Sequence, residues 1–118
     1  MSDGGEVFAS DVRIVLTTAP DAEVALRRGR ALVEERHAAC VNVVPGVRSI
    51  YSWREAIEEA DEVLLVLKTT AAAAPALAAR LEALHPYETP EVLALEPAAG
   101  AAAYLAWIGE SVISPRGP

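Results

Sequence analysis

Four stretches of this chain are rich in β-branched and aliphatic residues, and the intervals between them differ in kind. The first and third intervals each hold a helix-length run, and the middle one holds none. Few folds accept β-α-β followed directly by β-α-β. A helix between two strands lets them run in the same direction in one sheet, and such crossovers are right-handed almost always. Two strands joined without a helix form a hairpin. The order therefore predicts an α+β protein of the split βαβ, ferredoxin-like kind, with a four-stranded antiparallel sheet and both crossover helices on one face.

The segments fill this scheme in turn. "VRIVLTT", Val12 to Thr18, reads as a buried strand. Asp21 is placed to cap the helix that follows, whose apolar positions are Ala22, Ala25, Leu26, Gly29, Leu32 and Val33. "AACVNVV" opens the second strand, Pro45-Gly46 bends it, and it resumes through Trp53. The acidic "REAIEEADE" is poor in β-formers and reads as the hairpin tip. "VLLVLKTT", Val63 to Thr70, is the third strand. Pro75 sits in the first turn of a second helix marked by Leu77, Leu81 and Leu84. "EVLALEP" is the fourth strand, and a short third helix runs from about Ala101 to Ser111. The domain spans residues 11–113, with mobile tails at 1–10 and 114–118 expected from their small, polar composition.

The sheet has a second face that two helices on one side leave bare. Hydrophobic residues make up 53% of the 118, but many are alanine and only one is phenylalanine. A core this light, beside an apolar sheet face, points to association with further copies of the chain. The net charge of -7 argues against nucleic acid and against an anionic membrane as partners. Cys40 is the single cysteine, so no intrachain disulfide forms, as in a reducing compartment. The first residues lack a basic start and an apolar run, and no segment offers the ~20 apolar residues of a membrane span. The expectation is a soluble, cytoplasmic protein.

Chemistry is concentrated in few residues. "HPYETP", His85 to Pro90, brackets an imidazole, a phenol and a carboxylate between prolines that hold the backbone extended. It reads either as a stiff connector or as a ligand-facing loop. His85 and Cys40 are the candidate copper or zinc ligands by donor type. His37, at the end of the first helix, is better placed to meet the helix dipole. Lys68, the only lysine, lies in an apolar strand and needs a partner, for which Glu88 and Glu59 are candidates. Tyr104 and Trp107 share a helix face, and Tyr51 and Trp53 lie on the second strand. G-x-S-x-G, P-loop, H-E-x-x-H and C-x-x-C motifs are all missing, which argues against an enzyme.

"TTAPD", "AACVNVVPGVRSIYSW", "LLVLKTT", "HPYETPEVLALE" and "YLAWI" stand in this order over roughly residues 12 to 112. Together they resemble the CutA-type divalent-cation-tolerance proteins. The resemblance implies a tight homotrimer, a link to copper and other divalent metals, and clefts between subunits like those of the PII signalling proteins. Metal-binding members show a thiol on the first strand and two consecutive histidines before "PY"; Thr17 and Leu84 stand there in this chain. The resulting expectation is a non-enzymatic homotrimer serving metal tolerance, with Trp53, Lys68, Tyr87, Glu88, Tyr104 and Trp107 lining a cleft at a subunit boundary. The alternatives are a PII-like small-molecule sensor and a trimeric scaffold that shows the acidic hairpin residues Glu55, Glu58 and Glu59 to a partner.

Overall fold

The computed structural model describes residues 5–85 and 89–113. Its elements are β1 (Val12–Ala19), α1 (Ala22–Glu34), β2 (Cys40–Trp53), β3 (Ala56–Thr70), α2 (Ala74–Leu84), β4 (Val92–Leu95) and α3 (Ala102–Ser111). The four strands form one sheet in the order β2-β3-β1-β4, with every neighbouring pair antiparallel. That is the order the split βαβ pattern requires.

Local chemistry sets the boundaries. The Asp21 carboxylate accepts a hydrogen bond from the Val24 N–H at 2.8 Å and so opens α1. Pro75 lies in the first turn of α2, where its missing N–H has no bond to lose. β2 bulges between Val44 and Val47, with Gly46 at φ +79°, so the proline bends one strand and does not end it.

The acidic stretch is where the structure departs most from expectation. Only Arg54 and Glu55 form the turn, both at positive φ as in a type I′ hairpin. Ala56 to Glu62 are strand, paired residue by residue with Val47 to Trp53. Poor β-propensity is overridden by pairing with a β-branched and aromatic partner strand and by cross-strand charge. Arg48 reaches Asp61 at 2.9 Å and Glu59 at 3.2 Å. Glu59 is therefore the partner of Arg48 and not of Lys68.

Residues at odd positions of β3 face α1 and α2. Leu65 and Leu67 pack there with Val15, Ala25, Leu32, Leu77 and Leu81. The stripe on α1 is narrower than its sequence suggests: Leu26 and Val33 are exposed, because the helix lies against β2 at Gly29, where an added Cβ would come within 3.1 Å of Val41. Arg80 grips both oxygens of Glu35 at 3.1 and 3.0 Å, tying α2 to the end of α1.

α3 packs on the opposite face, but only at one end, through Leu105 and Ile108 against Val12, Ala39 and Ala73. Val7 and Ala9, in the segment read as a tail, pack on the same cluster. Arg36, and not His37, meets a helix end: its guanidinium donates to the Ser111 and Glu110 carbonyls that terminate α3. His37 instead stands 3.7 Å from the Glu35 carboxylate. Beyond α3 the second face is uncovered, with Ile14, Leu16, Leu64 and Val66 half-buried and Leu93 and Leu95 exposed.

Candidate functional site

The candidate residues fall into two groups at different points along β3. The first surrounds Lys68. Cys40 lies directly opposite Lys68 in the β2–β3 register, and Asn42, two residues on, shares the same face. The Lys68 ammonium donates to the Asn42 carboxamide oxygen and lies 3.9 Å from the Cys40 sulfur. The sulfur in turn lies 3.8 Å from the Asn42 oxygen. Tyr104 completes the group. Burial pushes its phenol above the ordinary range, and the neighbouring Cys40 adds to the shift. Its ring stacks on Trp107 at 5.7 Å between centroids.

Among the described residues, this lysine in an apolar strand is held by a carboxamide and a thiol. It also bears on metal binding. An ammonium beside the only thiol opposes any cation brought to that sulfur.

The second group surrounds His85, four residues of β3 away. Its ring Nε2 lies 3.0 Å from the Thr18 carbonyl, and Thr18 pairs with Leu64. The carbonyl can only accept, so Nε2 carries the proton. His85 is 9% exposed. Burial holds its pKa below the usual histidine range, and the charge of Arg28 acts in the same direction. The Thr18 carbonyl and the carboxylates of Glu62 and Glu91 pull the other way. Leu64 and Lys68 are about 13 Å apart along the strand, so His85 and Cys40 belong to different sites of one protomer. Among the described residues, no three of His, Cys, Asp and Glu are grouped to hold a metal ion.

Beside the second group opens a cleft of about 600 Å³. Trp53, Tyr51 and Ser49 line it from β2, and Glu62 from β3. Thr18, Thr89 and Glu91 close it where the chain enters β4. Trp53 and Thr89, near the end of the "HPYETP" motif, thus line the same cleft. Within one protomer, Lys68, Tyr104 and Trp107 stand apart from them: Trp53 pairs with Ala56, which is about 40 Å from Lys68 along β3. Tyr87 and Glu88 lie outside the described residues.

Sequence reasoning missed four contributors: Asn42, Thr18, Glu62 and Glu91. Strand alternation from Cys40 was signal enough for Asn42. Glu91 follows the motif directly. Thr18 acts through its backbone carbonyl, which no side-chain pattern reveals.

No helix among the described residues is long and apolar enough to cross a membrane. The family model of the CutA1 divalent ion tolerance protein matches residues 13–111. The chain is 52% identical over 98 residues to the divalent-cation tolerance protein CutA of Thermus thermophilus, covering 83% of this chain and 95% of that one. It is 43% identical to human Protein CutA, covering 91% of this chain but only 60% of the human protein. Among solved structures, the Thermus thermophilus divalent cation tolerance protein superposes with a TM-score of 0.83 at 50% identity, over 86% of this chain and 99% of that one. The periplasmic divalent cation tolerance protein CutA of Archaeoglobus fulgidus gives 0.82 at 33% identity, over 86% of this chain and 99% of that one.

Proposed function

The chain belongs to the CutA1 divalent ion tolerance family, and on that premise we propose that it serves the response to divalent metal ions, copper among them, as a cytoplasmic, non-enzymatic homotrimer. The observation that supports assembly is the uncovered sheet face. Ile14, Leu16, Leu64, Val66, Leu93 and Leu95 make a contiguous aliphatic surface of the kind that lies under another subunit. The number three rests on the resemblance to the family. Direct copper binding requires ligands pooled between subunits, because Cys40 and His85 do not converge within one.

Native mass spectrometry before and after addition of copper tests this reading. The expected result is a trimer that takes up integral copper, lost in His85→Ala. A monomer overturns the assembly. A trimer without specific copper overturns direct binding and leaves metal tolerance as an indirect effect.

A second reading is a small-molecule sensor of the PII-like kind. It is favoured by the cleft beside Trp53, whose volume is that of small-ligand sites.

A further inference from the structure

We propose that the cleft beside Trp53 takes a small organic cation, an amine of the polyamine class. The inference rests on the sensor reading of that cleft and adds the chemistry of what enters it.

The first argument is the charge of the walls. Glu62 and Glu91 are the only charged residues among the nine described lining residues. Both line the one cleft, and both carboxylates act on the buried His85 imidazole beside it, where the charge of Arg28 opposes them. An anion entering here would face two carboxylates, with no lysine or arginine among the described lining residues to offset them. A cation would be held by both.

The second argument is the rest of the wall. Trp53 and Tyr51 supply aromatic faces, which attract cations through the ring quadrupole. The Arg54 guanidinium already lies 5.2 Å from the Trp53 ring centroid, so the ring is a cation-accepting surface and an entering amine competes with Arg54 for it. The hydroxyls of Thr18, Ser49 and Thr89 offer acceptors to ammonium protons.

The third argument separates an organic cation from a metal ion. Hard divalent ions need six or so oxygen ligands closing on one point. A space of about 600 Å³ with two carboxylates in its wall is far too large for that. It suits a flexible amine several atoms long, with an alkyl stem against Ile50 and the aromatics and charged ends at the carboxylates.

The test uses the assembled protein carrying Trp107→Phe, which leaves Trp53 as the sole tryptophan. Spermidine, glutarate and magnesium chloride are titrated at matched ionic strength, following Trp53 fluorescence and heat. The expected result is saturable binding of spermidine, about tenfold weaker in Glu62→Gln and in Glu91→Gln, the loss of one charge-assisted contact. Added sodium chloride weakens it further. Glutarate bound in place of spermidine overturns the charge assignment but leaves the sensor reading standing. No response to either organic probe overturns both. Magnesium reproducing the spermidine response, or binding indifferent to both glutamines, reduces the effect to charge screening and overturns the proposal. Glu91→Gln guards against misfolding as an explanation, because Thr17 bonds the Glu91 backbone carbonyl and not its side chain.

Discussion

The two faces of the sheet carry nearly the same residue types and meet different fates. Leu65 and Leu67 on one side are fully buried under α1 and α2, whereas Leu93 on the other is 57% exposed. Leu64 and Val66 sit between their buried neighbours on the same strand and are only half covered. β3 is apolar on both faces, so its sequence does not say which face the protomer seals itself. That is decided by where the crossover helices return. Within the protomer, α3 completes the second face at one end only. On the sealed side a side chain stabilises the protomer; on the open side the same chemistry favours association.

Two substitutions separate these roles most sharply. Leu65→Ala is expected to cost about 2–5 kcal/mol, because it leaves a cavity in a fully packed region. Urea denaturation of the purified protein measures it, and a loss under 1 kcal/mol would mean that the face is not sealed as described. Leu93→Lys is expected to leave the protomer fold intact but to abolish the trimer, since it places a charge in the proposed interface. Sedimentation alongside circular dichroism checks both halves. A trimer retained with native spectra would show that the open face is not where subunits meet.

The architecture was legible because it depends on order and periodicity, which a chain carries in full. Asp21, Pro75 and Pro45-Gly46 each announced a boundary through a local backbone requirement. The acidic arm was not legible, because Glu58, Glu59 and Asp61 become strand only by pairing with a partner segment, and pairing is not a local property. Less of the site can be compared: Trp53 lines a cleft with Thr89 of the "HPYETP" motif, and Tyr87 and Glu88 lie outside the described residues. Lys68 was singled out as a charge in an apolar strand; of the carboxylates expected beside it, Glu59 pairs with Arg48 and Glu88 lies outside the described residues. Asn42 was not foreseen as its partner, because the sequence shows which residues are charged and not which ones a hairpin register sets side by side.

His85 tests the rim of the sealed side, and its effect should be smaller. Its folded pKa is depressed, so between that value and the unfolded value near 6.5 the unfolded chain binds more protons. The contribution is fully present above about pH 6.5 and is lost as the pH falls through the folded pKa. Melting curves between pH 7.5 and 4.5 should show a downward step in stability that His85→Gln removes, since glutamine does not titrate. A step unchanged in the mutant would assign it to other groups.

Arg48 marks where the sealed side ends. It shares the helix-facing side of the hairpin with Asp61 and Glu59, but lies beyond the reach of α1 and α2, and there the strand is held by charge in place of apolar packing. Exposed pairs of this kind are screened by water and salt, so Arg48→Ala should have the smallest effect of the series. Melting temperatures of the two proteins should differ slightly at low ionic strength and converge in 1 M sodium chloride. A large difference that survives high salt would mean that the arm is buried against another subunit. The sealed face would then extend, in the assembly, over a region the single protomer leaves open.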